Sequence, residues 1–272
     1  VVAEQLASVA DLKVAVLDRW RKERLGDATV FAENPAFARL VRALLAGDAG
    51  AATETGAWLD RCRQAYAYDS ILLLDTSYRV RATSPAGAEG AAARISPESG
   101  PALREGRAVF EDFYRDDADG RIWLEVLAPV RDADGGPLLA VVVLRIDPVN
   151  ALYPFVSRWP TPSKTAETLL VRREGADALY LSDPRFRPGG ALRLRMPLSR
   201  TDVPTVQAVL GATGAVEGVD YRGEPVIAAI RAVEGSPWFV VARIDVSEAL
   251  AAVRERGRIA WAFALTFFVA GG

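Results

Sequence analysis

Two stretches about a hundred residues apart say nearly the same thing, and this duplication limits the fold more than any other feature. Val142-Val143-Leu144-Arg145-Ile146-Asp147 is followed by Ala151-Leu152, and Val240-Val241-Ala242-Arg243-Ile244-Asp245 by Ala249-Leu250 at the same spacing. The match runs backwards: Leu103, Ala108, Val109, Tyr114 and Arg115 pair without a gap with Leu210, Ala215, Val216, Tyr221 and Arg222. Gly120 pairs with Gly223, Val130 with Val233 and Pro137 with Pro237. Such a period is too long for a solenoid unit and fits two tandem copies of one small domain.

Each copy reads as sheet. Val126–Val130 and Leu138–Ile146 are apolar, β-branched runs parted by Asp132-Ala133-Asp134-Gly135-Gly136, a hairpin signal. The second copy repeats this with Val226–Val233, a Glu234-Gly235-Ser236-Pro237 turn and Trp238–Ile244. Upstream of each lies another strand–turn–strand unit, Ser70–Asp75 with Val80–Thr83, and Glu167–Arg172 with Leu179–Ser182; these close on Pro85 and Pro184. Each copy thus holds about five antiparallel strands with helix or loop between the second and third, an α+β pattern.

Helices precede and follow the sheets. Leu6, Val9, Ala10, Val14, Leu17 and Trp20 recur at helical spacing, predicting one long helix over residues 1–27. Asn34 as N-cap, Pro35 at the first turn and Gly47 at the exit bound a second, and a third runs from about Thr53 to Tyr66. The domain reading is therefore helices over 1–66, a first sheet unit over 67–150, a Pro-rich linker over 151–165, a second sheet unit over 166–246, and an exit helix from 247. Asp147 with Pro148 reads as a helix cap, and Asp245 with Glu248 as a capping box. Ile259–Ala270 is apolar but, at twelve residues, shorter than the roughly 20 needed to cross a bilayer. It reads as the start of a truncated transmembrane helix or as a C-terminal core helix.

Composition removes several chemistries. The chain has no histidine, which excludes Ser-His-Asp and Cys-His catalysis and disfavours a zinc enzyme. The single cysteine, Cys62, shares a helical stripe with Trp58, Leu59 and Tyr66 and reads as a core thiol. A net charge of −2 gives no footprint for nucleic acid. Asp116, Asp117 and Asp119 lack the spacing of a calcium loop and read as a solvated turn. No metal or cofactor site emerges.

With these elements in order, the chain resembles a double Cache (tandem PAS-like) extracytoplasmic sensor domain of a bacterial transmembrane receptor. The resemblance rests on the long N-terminal helix, two five-stranded units, the strand pair ending Leu138-Leu139-Ala140-Val141-Val142-Val143-Leu144-Arg145-Ile146-Asp147, and the exit helix. It implies a long helix flanking two PAS-like five-stranded antiparallel units, an inner-membrane location with this domain outside the cytoplasm, and a homodimer formed through the N-terminal helix. It implies ligand binding in the first, membrane-distal copy and a parent of the sensor histidine kinase type, with a chemoreceptor or diguanylate cyclase as alternatives. The family's amino-acid-binding branch carries Arg-x-Trp-Tyr before the third strand and an aspartate ending the fifth. Asp147 matches that aspartate, whereas Pro101–Gly106 contains no such motif.

The repeat supplies its own control for the site. Arg145/Arg243, Asp147/Asp245 and Tyr114/Tyr221 are shared and read as serving the fold, while still able to line a pocket. Trp123 and Glu125 align with Val226 and Ala228, and Arg121 with Glu224, so the first copy alone is expected to turn polar and aromatic groups toward a cavity. Trp123, Glu125 and Leu127 alternate onto one strand face. That face reads as a pocket wall, or as a face where Glu125 pairs with Arg145. Tyr68 and Ser70 share a face of the first strand and complete the candidate set for a small carboxylate or amine. Rival readings are a ligand-free interaction module and a hydrolase using Glu111 and Glu125 as paired carboxylates.

Overall fold

The computed structural model of the chain describes residues 2–87, 94–117, 119–132 and 136–251. It divides into two compact units, Arg19–Leu152 and Val1–Asp18 with Tyr153–Gly272, and the division falls inside the first helix, α1 (Val2–Ala32). The apolar Ile259–Ala270 segment and most of the exit helix lie outside the described residues. Among those residues no helix is long and apolar enough to cross a membrane.

The first-copy unit opens with the end of α1, then α2 (Pro35–Leu45) and α3 (Ala49–Tyr66). The α2 start is as the sequence predicts: the Asn34 side chain accepts from the Phe37 amide at 3.0 Å and Pro35 occupies the first turn. Helix α3 begins four residues before the expected Thr53, because Asp48 caps it, accepting from Gly50 and Ala51 at 2.7 and 3.0 Å. α1 likewise continues through Gly26 to Ala32. Phe31, Phe37 and Trp58 knot these helices together: Phe37 stacks on Trp58 with centroids 4.2 Å apart, and Phe31 meets Trp58 edge-on at 4.9 Å. Cys62 is only half-buried on α3, so its stripe is shallower than a core thiol requires.

The sheet follows: β1 (Ser70–Asp75), β2 (Val80–Ser84), the short helix α4 (Ser99–Arg104), β3 (Val109–Arg115), β4 (Ile122–Arg131) and β5 (Leu138–Ile146), in the order β2-β1-β5-β4-β3 with antiparallel neighbours throughout. β4 is buried on both faces from Ile122 to Val130, which explains its almost unbroken apolar run. One face, with Leu72, Leu74, Leu127, Val141 and Val143, packs under Leu103 of α4 and Ile95. The other is approached by α2 and α3. After β5 comes α5 (Pro148–Ala151), capped by Asp147 as expected: its carboxylate accepts from the Val149 amide at 2.8 Å.

The second-copy unit holds α6 (Tyr153–Ser157), β6 (Glu167–Glu174), β7 (Asp177–Tyr180), β8 (Arg195–Pro197), α7 (Pro204–Val209), β9 (Gly214–Val219), β10 (Pro225–Ala232) and β11 (Trp238–Asp245). Its order, β8-β7-β6-β11-β10-β9, repeats the first sheet and adds one three-residue strand, β8, at the edge beside β7. Val206, Ala208 and Val209 of α7 cover Val171, Ala228, Ile230 and Val241.

Two sequence pairings are corrected here. In the sheet ladders Glu111 lies opposite Glu125, while Ala228, the counterpart of Glu125, lies opposite Val216. The gapless match of 103–115 with 210–222 is therefore off by two residues as far as Glu111, a slip that preserves side-chain faces and leaves no trace in the hydrophobic pattern, and by three past the bulge before Tyr114. The Asp245–Glu248 capping box does not form either. The Asp245 amide donates to the Thr165 hydroxyl at 3.2 Å, and Glu248 instead accepts from Ser163 Oγ (2.9 Å), the Lys164 and Thr165 amides (3.0 and 2.8 Å) and the Thr165 hydroxyl. Glu248 thus clamps the linker to the helical residues 246–251.

Candidate functional site

The face carrying Leu72, Leu127 and Val143 continues, two residues along each strand, into Ser70, Glu125 and Arg145, and two further along β4 into Trp123. On β3 the alternation breaks: the register slips between Glu111 and Tyr114, so that Tyr114 stands opposite Trp123. This one-residue bulge turns the Tyr114 side chain toward the same cluster as Trp123 and Glu125.

Glu125 is the hub. It is fully buried, and its Oε1 accepts from the Tyr114 hydroxyl at 2.6 Å and from Arg145 Nε at 2.9 Å, with Arg145 Nη2 at 2.8 Å. Its Oε2 accepts the Arg94 amide at 3.1 Å, and Arg145 Nη2 also donates to the Tyr114 hydroxyl at 3.2 Å. Burial pushes the Glu125 carboxyl above the ordinary carboxylate range, against the pull of Arg145, Tyr114 and the Arg94 amide. Burial also works against the Arg145 charge, but Glu125 outweighs it and the guanidinium stays protonated. Burial and the adjacent Glu125 charge raise the Tyr114 hydroxyl well beyond its usual range, so it remains a donor.

Glu111, across the ladder from Glu125, accepts from the Ser96 amide at 3.0 Å and from the Ser99 hydroxyl. The two carboxylates together hold segment 94–99 onto the sheet face. Both are engaged in that task, an arrangement unlike a free acid–base pair flanking a scissile bond.

Trp123 is 2% exposed and lies between two guanidinium groups, Arg121 at 4.2 Å and Arg145 at 5.1 Å from the ring centroid. Its Nε1–H finds no acceptor among the described residues. Arg121 also donates to Asp147 at 2.9 Å and reaches Asp69 at 3.4 Å.

Of the candidates read from sequence, the structure thus gathers Tyr114, Trp123, Glu125 and Arg145 into one buried cluster, with Ser70 in register with Arg145 and with Arg121 and Asp147 at its edge. Tyr68 stands apart: its hydroxyl donates to Asp27 of α1 at 2.7 Å. Asp69, Arg94, Ser96 and Ser99 were not singled out in the sequence. Glu111 was legible only as a second carboxylate, and the backbone donor of Arg94 has no side-chain signature.

The second copy gathers more polar groups at this place than the shared Arg243, Asp245 and Tyr221, although the first copy alone was expected to turn polar and aromatic groups toward a cavity. Arg243, 1% exposed, pairs with Glu167, with Asp220 at 2.9 Å and with Asp245 at 2.6 Å, and Arg222 joins Asp220 and Asp245 at 2.7 and 2.6 Å. The Tyr221 hydroxyl lies 3.5 Å from Arg243 and is pushed up to about 12 by burial and by Glu167. The layout is a rearrangement of the first. Arg145 has Ser70 on one side and Glu125 on the other, and Arg243 has Glu167 and Ala228 in those positions. The arginine is kept and its acid has moved from the fourth strand to the first. What remains open there is a void of about 10 Å³ lined by Tyr180, Thr205, Asp220 and Arg243, the size of a single water.

No group of three or more His, Cys, Asp or Glu side chains is placed to hold a metal ion among the described residues. No protein-family model matches the chain, and no curated protein matches it. Solved structures do. The ligand-binding domain of the Pseudomonas aeruginosa amino acid chemoreceptor PctB in complex with L-Gln is 17% identical, with a TM-score of 0.63 over 96% of this chain and 98% of that one. That of the Campylobacter jejuni chemoreceptor Tlp3 in complex with L-norvaline is 12% identical, with a TM-score of 0.66 over 90% of each chain. That of the P. aeruginosa chemoreceptor PctC in complex with GABA is 19% identical, with a TM-score of 0.60 over 90% of this chain and all of that one. At these identities the likeness is one of fold.

Proposed function

We infer that this chain is the ligand-sensing part of a membrane signal-transduction protein, that it lies outside the cytoplasm, and that its first-copy unit binds a small molecule. The observation that carries the reading is the buried cluster of Tyr114, Trp123, Glu125 and Arg145 on one sheet face under segment 94–106. The second unit also buries ion pairs, but the first adds an indole N–H with no acceptor among the described residues, a cost on burial that a plain core has no need to bear. The shared fold with chemoreceptor ligand-binding domains supports the sensing role and favours a chemoreceptor parent over the histidine kinase suggested by sequence. The domain itself acts by binding, and any enzymatic step belongs to an output domain.

The mechanism follows from the clasp. Segment 94–99 is tied to the sheet through two carboxylates on adjacent strands. A ligand bonding to Arg145, Tyr114 or Glu125 competes for those bonds and shifts the segment's position. The shift is limited by the ligand's difference in affinity for the two states. The neighbouring structures contain amino acids or GABA, and a small amine or carboxylate is the corresponding class here. The motif that marks amino-acid binding is absent and Asp147 is engaged by Arg121, so a standard α-amino acid is not assumed.

The test is a thermal-shift screen of amines, carboxylates and amino acids against the chain and its Trp123→Ala variant. A ligand that raises the midpoint of the parent and leaves the variant unmoved supports the site. An equal rise in both removes it. Downstream coding sequence distinguishes a methyl-accepting output from a kinase.

A further inference from the structure

The Arg121 guanidinium occupies a cage suited to a cation. Its Cζ lies 4.2 Å from the Trp123 ring centroid, it donates to Asp147 at 2.9 Å, and it reaches Asp69 at 3.4 Å. An aromatic face flanked by two carboxylates is a general recognition device for ammonium and guanidinium groups. The cage members come from rigid places: Trp123 from the start of β4, Asp147 from the end of β5, and Asp69 from the residue before β1. The sheet therefore sets the cage, whereas its occupant is carried on the turn between β3 and β4.

That occupant is held weakly. The Arg121 side chain is 49% exposed, and ion pairs at such exposure contribute little. Asp147 keeps its shape without it, through the Val149 amide at 2.8 Å and Asn150 Nδ2 at 3.0 Å. Trp123, which forms the wall, is 2% exposed and retains an Nε1–H with no acceptor among the described residues. A buried indole donor left unmet beside a cation is unusual, because such groups nearly always find a partner. The second copy seats Arg222 in a similar way, 4.1 Å from the Phe186 ring centroid and paired with Asp220 and Asp245 at 2.7 and 2.6 Å, but its aromatic wall is a phenylalanine with no N–H to satisfy.

We propose that Arg121 is a tethered stand-in for the ligand. A small organic cation that also carries a hydrogen-bond acceptor displaces it, takes the Trp123 face with Asp147 and Asp69, and offers its acceptor to the indole N–H. The tether lowers apparent affinity, so the sensor responds only once the free cation outcompetes its own arginine. This rests on the reading of the first-copy unit as a ligand-binding sensor.

The test is calorimetric titration of the full chain with L-arginine amide, a cation bearing a carbonyl acceptor, and with succinate as an anionic probe. Arg121→Ala is expected to bind L-arginine amide at least tenfold more tightly than the parent, with succinate unchanged. Adding Asp147→Asn, which keeps the helix cap because asparagine caps as well as aspartate, is expected to remove the gain. No gain in Arg121→Ala, or a gain that survives Asp147→Asn, overturns the proposal. If succinate binds the parent and is lost in Trp123→Ala while Arg121→Ala gains nothing, the sensing site stands and the cation cage falls. If no probe in the panel binds any of the proteins, both fall.

Discussion

Moving the buried acid of the first unit to the position it holds in the second should rescue the damage caused by removing it. Glu125→Ala removes the buried carboxylate paired with Arg145, at a site where both side chains are at most 2% exposed. It also removes the acceptor of the Tyr114 hydroxyl and of the Arg94 amide. Breaking a buried pair from one side costs about 3–5 kcal/mol. For a unit of this size about 2–4 °C of midpoint accompanies each kcal/mol, so a fall of about 10 °C is expected. Ser70→Glu on that background puts a carboxylate opposite Arg145 as Glu167 stands opposite Arg243, and the alanine that replaces Glu125 then matches Ala228.

The double variant restores the ion pair but not the two lost acceptors, each worth about 1 kcal/mol. It should therefore recover about 1–3 kcal/mol of the loss. Ser70→Glu alone, with two acids against one arginine, should be destabilised, giving a coupling of at least about 1 kcal/mol in the double-mutant cycle. Urea unfolding followed by tryptophan fluorescence reads all three, provided the slope with denaturant is unchanged. If Ser70→Glu/Glu125→Ala is no more stable than Glu125→Ala, the two units are not rearrangements of one ionic core.

Two further outcomes follow from the second unit. The Lys13 ammonium is buried and donates to the Phe155 and Arg158 carbonyls at 2.5 and 2.7 Å; burial and then the Arg158 charge lower it from 10.5 to about 8. The unfolded chain binds that proton more tightly, so between about pH 8 and 10.5 stability should rise with pH, and Lys13→Met should flatten the slope in pH-dependent urea midpoints. Gly218→Ala should destabilise by about 1–3 kcal/mol or more in the same assay, because an added Cβ would stand 2.2 Å from the Asp202 carbonyl oxygen.

The fold was legible because duplication tests itself: each strand of one copy had a witness in the other, and the sheet order came out twice. What the copies do not share was harder to read. The two-residue slip that holds as far as Glu111 kept side-chain faces and so left the hydrophobic pattern there unchanged. β8 is three residues long, with a single buried side chain, too short to show a period. At the site, Trp123 and Glu125 were visible as polar and aromatic groups on an apolar strand. Glu167 and Asp220 were not, because an acid in the second copy was sought at Ala228, where the first copy has Glu125. The Tyr114 orientation depends on a bulge, which period-2 reading averages away. Asp245 showed a capping pattern that its tertiary partners, Arg222 and Arg243, overrode.

The Glu248 clamp has a mechanical consequence. One carboxylate is gripped at once by two main-chain amides and two hydroxyls of residues 163–165, and the Asp245 amide is tied to the same Thr165. The strand that enters the sheet's middle and the helical residues that leave it are thus tied to each other as well as to the sheet. A pull or twist on those leaving residues loads β6 as well as β11, which lie side by side at Arg243.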